Sequence, residues 1–180
     1  MKETISNSAQ WNNAAKAGLV LGGTVIIYSL ATLLLSRVHG SAVVLILMRL
    51  LNYILWFAKL VGCFLLMKYF IKKQSRTYSG VDTRASFSYG LKIALCSALI
   101  CAAYTLWSVT QIDAEGLAML FNEALSGNQI DNNTKAALDK LINNAPVLFT
   151  VAQFIYCFLC GLIITSIITR TTPTEDIDNL

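Results

Sequence analysis

Residues 17–36 read AGLVLGGTVIIYSLATLLLS, a run of 20 residues that contains no charged side chain. The hydrocarbon core of a bilayer is ~30 Å thick, and a helix that rises ~1.5 Å per residue crosses it in about 20 residues. In lipid the backbone amides and carbonyls must bond to each other, which a helix achieves within one segment. The run therefore predicts a transmembrane helix.

Three further apolar runs have the length of a membrane span, at residues 42–71, 87–111 and 146–169. None of the runs alternates apolar and polar residues in the way that a half-buried strand does. The chain is therefore predicted to be an all-α integral membrane protein, with four transmembrane helices in a single domain over residues 1–180.

The composition agrees with a membrane location. Hydrophobic residues make up 56% of the chain and charged residues only 13%, against roughly 25% charge in soluble domains. Such a chain cannot cover itself with a solvated surface, which excludes most soluble enzymes. The net charge of +4 is too small to indicate a nucleic-acid-binding face. Residues 171–180 are polar and acidic and are expected to form a loose tail.

A cleaved signal peptide is the alternative interpretation of the first run. Residues 40–42, Gly-Ser-Ala, resemble a cleavage site. However, the polar residues 1–16 precede the run without a compact basic segment, and the run exceeds the ~7–15 apolar residues of a signal sequence. We therefore expect residues 17–36 to remain as a membrane anchor.

The basic residues predict the orientation in the membrane. With four spans, both termini and the connector between the second and third spans lie on one side. That side carries nine basic residues: Lys2, Lys16, Lys68, Lys72, Lys73, Arg76, Arg84, Lys92 and Arg170. The opposite side carries three: Arg37, Lys135 and Lys140. Because cytoplasmic loops are rich in lysine and arginine, we predict a multi-pass membrane protein with both termini in the cytoplasm.

Four of these basic residues lie at the end of the second span and are predicted to touch anionic lipids of the inner leaflet. They are Lys68, Lys72, Lys73 and Arg76. On the other side of the membrane, the outer connector at residues 112–145 is predicted to form a short amphipathic helix-turn-helix. Apolar residues recur there at helical spacing in 117–125 and 137–142, and Ser126-Gly127-Asn128 separates the two stretches. Its apolar stripe could face the outer leaflet, the mouth of the bundle or a partner protein.

Basic and aromatic stretches flank the connector between the second and third spans, at residues 68–73 (KYFIKK) and 86–92 (SFSYGLK). The third span is rich in small residues, the outer segment is acidic and amphipathic, and the fourth span contains Gly161. This layout resembles the four-helix bacterial membrane proteins grouped as domain of unknown function 4199 (DUF4199), common in Bacteroidetes. The resemblance implies a location in the bacterial inner membrane and assigns no catalytic residue. It implies an accessory role beside glycosyltransferases that make polyprenyl-phosphate sugars.

Lys59 is the most informative residue of the chain. If the second span meets the cytoplasmic interface near Phe70, Lys59 lies 11 residues deeper, about 16 Å into the bilayer and near its middle. A charged amine there costs roughly 2.5–3.5 kcal/mol on insertion scales. No span contains an acidic residue that would offset this cost. Two interpretations stay open, namely an amine that snorkels or is buried in its neutral form, and a binding group for an anion.

Polar residues at helical spacing give each span a face that is expected to turn inward. The functional hypothesis is a polar pocket around Lys59 for a phosphate or another anionic head group. Its further candidates are Arg49, Asn52, Tyr28, Tyr104 and Gln153. The structural alternative is helix packing through small residues. The candidates for packing are Gly18, Gly22, Ser97, Cys101 and Gly161.

No catalytic set, metal site or cofactor is predicted. The five cysteines lie inside spans, where we interpret them as packing residues, and the single histidine, His39, lies in a short turn. No Asp, Glu or His lies inside a span, although acid–base and nucleophilic catalysis depend on such groups. The chain is therefore expected not to be an enzyme.

The predicted function is that of a non-catalytic accessory or scaffold subunit in the membrane. Its predicted partners are membrane lipids and either a second copy of the chain or a membrane-associated glycosyltransferase. The alternative is a small oligomeric carrier or flippase for an anionic or lipid-linked substrate, acting through Lys59. Replacing Lys59 by alanine separates the two, because it should abolish transport and leave a scaffold largely intact.

Overall fold

Four α-helices make up the part of the chain that the structure, a computed structural model, describes. The described residues are 6–36, 42–78, 83–111 and 132–171. The helices are α1 (Asn7–Ser36), α2 (Ala42–Thr77), α3 (Thr83–Thr110) and α4 (Asn132–Thr171). Each contains a segment that is long and apolar enough to cross a membrane. At the level of length and composition, the prediction of an all-α chain with four membrane-spanning helices is confirmed.

The first helix extends beyond its apolar run. α1 begins at Asn7 rather than at residue 17, so its first turns carry the polar residues that precede the run. Ser6 caps this end, because its Oγ accepts a hydrogen bond from the Ala9 amide at 3.3 Å. The start of the helix is therefore set by a cap and not by the boundary of the apolar run.

The fourth span differs from the prediction at its start. α4 is continuous from Asn132 through Pro146, so the second half of the predicted outer helix-turn-helix is the first part of the fourth helix. Pro146 has no N–H and removes one intrahelical bond, but its carbonyl still accepts a hydrogen bond from Thr150 Oγ1 at 2.7 Å. The first half of the predicted outer motif falls in residues 112–131, outside the described part of the chain.

α3 is the central helix of the bundle. It packs against α1 on one side and α4 on the other, and these two do not approach each other within the described ranges. α2 packs mainly on α1 and less on α3 and α4. The buried residues of α3 are Ser86, Tyr89, Gly90, Ile93, Ala94, Ser97, Ala98, Cys101 and Ala102. Most of them are small, and small residues let two neighbouring helices approach closely.

Glycines mark the closest approaches to α3. A Cβ added at Gly18 of α1 would lie 2.5 Å from Cys96 Cβ and 3.1 Å from the Ser97 amide nitrogen. A Cβ added at Gly161 of α4 would lie 2.6 Å from Ala94 Cβ. Both helices therefore pack on α3 at distances that only a residue without a side chain allows.

The hydrophobic core lies at one end of the bundle. It combines the first halves of α1 and α3 with the second halves of α2 and α4, as antiparallel neighbours require. Its members are Ala14, Ala17, Leu21, Met67, Ile71, Tyr89, Ile93, Ala94 and Ile168. We call this the termini end, since α1 begins and α4 ends there. Toward the opposite, far end, every side chain of α2 from residue 43 to 60 is exposed or half-buried.

Candidate functional site

A groove opens between α1 and α2, on the far side of the core. It has a volume of about 370 Å³. Its lining consists of Tyr28, Ser29, Thr32 and Leu33 from α1 and Asn52, Leu55, Trp56 and Lys59 from α2. These residues recur at the three- and four-residue spacing of a single helix face. Among the described residues, none from α3 or α4 lines the groove.

Lys59 is the one charged residue among the described residues that line the groove. Its side chain is half-buried. Among the described residues, no carboxylate and no hydrogen-bond acceptor lies within bonding distance of its Nζ. All ten acidic residues of the chain lie outside the four apolar runs. Among the side chains that the structure describes, Lys59 therefore has no counter-ion.

The other polar groups of the groove leave several donors free. Thr32 Oγ1 donates to the Tyr28 carbonyl at 2.8 Å, so its hydroxyl proton is used within α1. By contrast, no described group hydrogen-bonds to the Asn52 amide, the Trp56 indole N–H or the Tyr28 hydroxyl. Together with Lys59 Nζ, these donors provide the chemistry that binds phosphate or carboxylate oxygens.

Three of the predicted ligand-binding residues do not line the groove. Gln153 Nε2 donates to Cys157 Sγ on its own helix at 3.1 Å. The Tyr104 ring packs beside the Trp107 ring, with centroids 6.2 Å apart. Arg49 is exposed on α2 outside the lining. The hypothesis grouped them because inward polar faces were expected to meet on a common axis, whereas the centre of the bundle is occupied by α3.

The residues predicted for helix packing lie at interfaces of α3. Gly18 and Gly22 both face it, and a Cβ added at Gly22 would lie 3.3 Å from the Ser97 carbonyl oxygen. Ser97 and Cys101 are buried on α3, and Gly161 of α4 lies against Ala94 of the same helix. These packing residues were predictable because small residues recur at regular spacing in the apolar runs.

A polar contact between α1 and α3 was missed by sequence reasoning. Lys92 Nζ donates to Gln10 Oε1 and, at 3.1 Å, to Asn7 Oδ1. The same amine lies 5.0 Å from the centroid of the Trp11 ring, within range of a cation–π interaction. Lys92 and Gln10 are 82 residues apart, so no local pattern identifies the pair. The contact ties the first turns of α1 to α3, and its partners among the described residues are amide oxygens and an aromatic ring.

The four basic residues predicted to touch the inner leaflet are all exposed near the end of α2. Lys73 Nζ lies 5.9 Å from the centroid of the Tyr69 ring, one turn earlier in the same helix. Amines and guanidinium groups at this position are free to reach lipid head groups if the termini end faces the cytoplasm. Their contact with anionic lipid stays a prediction.

No protein-family model, curated protein or solved structure matches the chain. Within the part that the structure describes, no group of three or more His, Cys, Asp or Glu side chains converges to hold a metal ion. The five cysteines are free thiols. The groove beside Lys59 is therefore the candidate functional site.

Proposed function

We propose that the protein is a non-catalytic accessory subunit of the bacterial inner membrane that holds the phosphate of an anionic lipid in the groove between α1 and α2. One observation carries the proposal. Lys59 brings an amine to the middle of an apolar helix, and no described acid or acceptor accompanies it. Charged side chains at this depth are costly and rare, and they usually mark a functional site. A bound phosphate would supply the missing negative charge.

A lipid phosphate suits this groove better than a second copy of the chain does. None of the four apolar runs contains an acidic residue, so a copy packed helix against helix would bring only further positive charge toward Lys59. Like charges repel strongly where the dielectric constant is low. A phosphate can accept hydrogen bonds from Lys59, Asn52 and Trp56 while the lipid chains remain in the bilayer.

A carrier or flippase is the second candidate, and it has less support. Transport requires that the bound substrate reach both sides of the membrane. At the termini end, Met67 and Ile93 are 0% exposed and Ile168 is 1% exposed, so packed side chains fill the space between the helices. A carrier would have to open this core or form its pathway between copies of the chain. Holding a lipid requires neither change.

The partner that we propose is a membrane-associated glycosyltransferase of polyprenyl-phosphate sugar metabolism. The layout resemblance supports this class of enzyme, and a groove for a lipid phosphate provides a physical basis for the association. A lipid held by its phosphate, with its chains free in the bilayer, would be presented to the enzyme at a constant depth. The accessory subunit would then position the substrate and leave the chemistry to its partner.

Lys59→Met should weaken the binding of hexadecyl phosphate by about tenfold or more. A hydrogen bond to a charged group contributes ~1.5–3 kcal/mol, and each ~1.4 kcal/mol corresponds to a factor of ten. Methionine keeps the apolar part of the side chain and removes the charge. The measurement is native mass spectrometry of the protein in zwitterionic nanodiscs titrated with hexadecyl phosphate. Lipids retained from the bacterial membrane are identified beforehand.

Lys68→Met is the matched control, because it removes the same charge from the same helix nine residues away, about 13 Å along the axis. At that distance the Lys68 amine cannot hydrogen-bond to a phosphate held beside Lys59. Lys68 is exposed near the end of the helix, so any contact that it makes with lipid lies near the membrane surface, where salt screens it. The affinity of the groove should therefore stay within about threefold of wild type. Lys59→Arg should keep most of the binding. Equal affinities for Lys59→Met and wild type would overturn the proposal, and so would an equal loss in Lys68→Met.

A further inference from the structure

The groove occupies only the part of the bundle between its middle and the far end. Lys59 is the lining residue of α2 that lies closest to the termini end. Asn52 lies seven residues, ~10 Å, closer to the far end. On α1 the lining runs from Tyr28 to Leu33, in the second half of that helix. The groove therefore reaches from the middle of the spans toward one leaflet.

Toward the termini end the groove is closed. Tyr28 Oη lies 4.0 Å from the position that a Cβ at Gly62 would occupy, one turn beyond Lys59. Further along α2, Met67 is 0% exposed and Ile71 is 3% exposed, because both belong to the hydrophobic core. A head group beside Lys59 would therefore meet packed side chains if it moved between the helices toward the other leaflet.

The directions of α1 and α2 also favour access to the groove from the far end. In an α-helix each side chain tilts toward the N-terminus of its own helix. α2 begins at the far end, so the amine of Lys59 is biased toward the far end, along the groove. α1 begins at the termini end, so Tyr28 leans the opposite way and approaches Gly62. The amine of Lys59 therefore extends along the groove, and the ring of Tyr28 lies between the amine and the termini end.

We infer that the groove accepts a lipid phosphate from the leaflet at the far end only, with Tyr28 as its floor. The inference rests on the proposed lipid-binding function and adds the source of the lipid. The chains of the bound lipid remain in that leaflet, beside Trp56 of α2, which lines the groove and is 52% exposed. With both termini in the cytoplasm, this is the periplasmic leaflet.

The tryptophans of the chain allow this sidedness to be measured. The protein contains three, and the double variant Trp11→Phe/Trp107→Phe leaves only Trp56, which lines the groove. The probe is hexadecyl phosphate with bromine in its chain, which quenches tryptophan fluorescence on contact. Phosphatidylcholine vesicles are sorted into two populations, with either the far end or the termini end facing outward. The probe is added from outside, where its charged head group keeps it in the outer monolayer.

We expect quenching of Trp56 to reach its half-maximum at about tenfold less probe when the far end faces outward. Brominated hexadecylphosphocholine, which is zwitterionic, should show no such difference, and Lys59→Met should remove it. Equal quenching by the phosphate probe in both populations would overturn the one-sided groove and leave phosphate binding standing. A phosphate probe that performs no better than phosphocholine in either population would overturn the proposed function as well. Relief of quenching by inorganic phosphate would identify a soluble anion as the ligand and overturn the lipid source.

Discussion

Gly18→Leu should prevent α1 from packing on α3 and reduce the free energy of unfolding by about 3 kcal/mol. The reason is the distance of 2.5 Å between an added Cβ and Cys96 Cβ, with the Ile93 carbonyl oxygen at 3.1 Å. Backbone atoms cannot move aside as the end of a flexible side chain can, so the helices must separate. The measurement is unfolding of the purified protein in mixed detergent micelles, followed by circular dichroism and by size-exclusion chromatography.

Gly23→Leu is the matched control in the same helix. A Cβ added at Gly23 would meet no atom within 4 Å, so the substitution changes the composition of α1 without a clash. Leucine forms helices better than glycine by up to about 1 kcal/mol, and the control should be as stable as wild type or slightly more stable. The close packing of α1 on α3 would be contradicted if both variants unfolded at the same detergent fraction.

The second large effect is expected at the termini end of α4, where Ile168 is 1% exposed. Ile168→Ala should lower the free energy of unfolding by about 2 kcal/mol, because it leaves a cavity in the core. This is the lower part of the range for soluble proteins. In a membrane the unfolded helices also lie in apolar surroundings, so little hydrophobic transfer energy is lost. The loss of free energy of unfolding then comes mainly from the missing packing contacts. The same detergent titration measures it.

Ile167→Ala is the neighbouring control, with the same change in side chain and in helix propensity. Ile167 is 45% exposed on the outside of the bundle, where lipid replaces the lost contacts. We expect its stability to stay within about 0.5 kcal/mol of wild type. Equal stability of the two alanine variants would contradict the position of Ile168 in a packed core at the termini end.

Part of the groove could be predicted because its residues are recognisable within single helices. Lys59 is a charge inside an apolar run, and Asn52 lies seven residues away on the same face. Tyr28 was identified by the same periodicity in the first span. Tyr104 and Gln153 were grouped with them on equal grounds, but the structure leaves both outside the lining. Periodicity shows which residues share a face and does not show which helix that face meets.

Features that depend on contacts between distant segments had no counterpart in the sequence patterns. Lys92 reaches Gln10 across 82 residues, and Gly90 contacts Thr165 of α4 so closely that an added Cβ would clash with it. The continuity of α4 through Pro146 was also not predicted, because proline is as compatible with the first turn of a helix as with a single interruption inside one.

The sequence by itself determined that the chain has four apolar helices long enough to span a membrane. This follows because hydropathy and the need to satisfy backbone hydrogen bonds act along each segment separately. Only the tertiary structure decided that α3 lies at the centre, that the core gathers at the termini end, and that Lys59 faces α1 across an open groove. Lipid does not discriminate between one apolar face and another. The arrangement therefore depends on where small residues such as Gly18 and Gly161 meet complementary surfaces on α3.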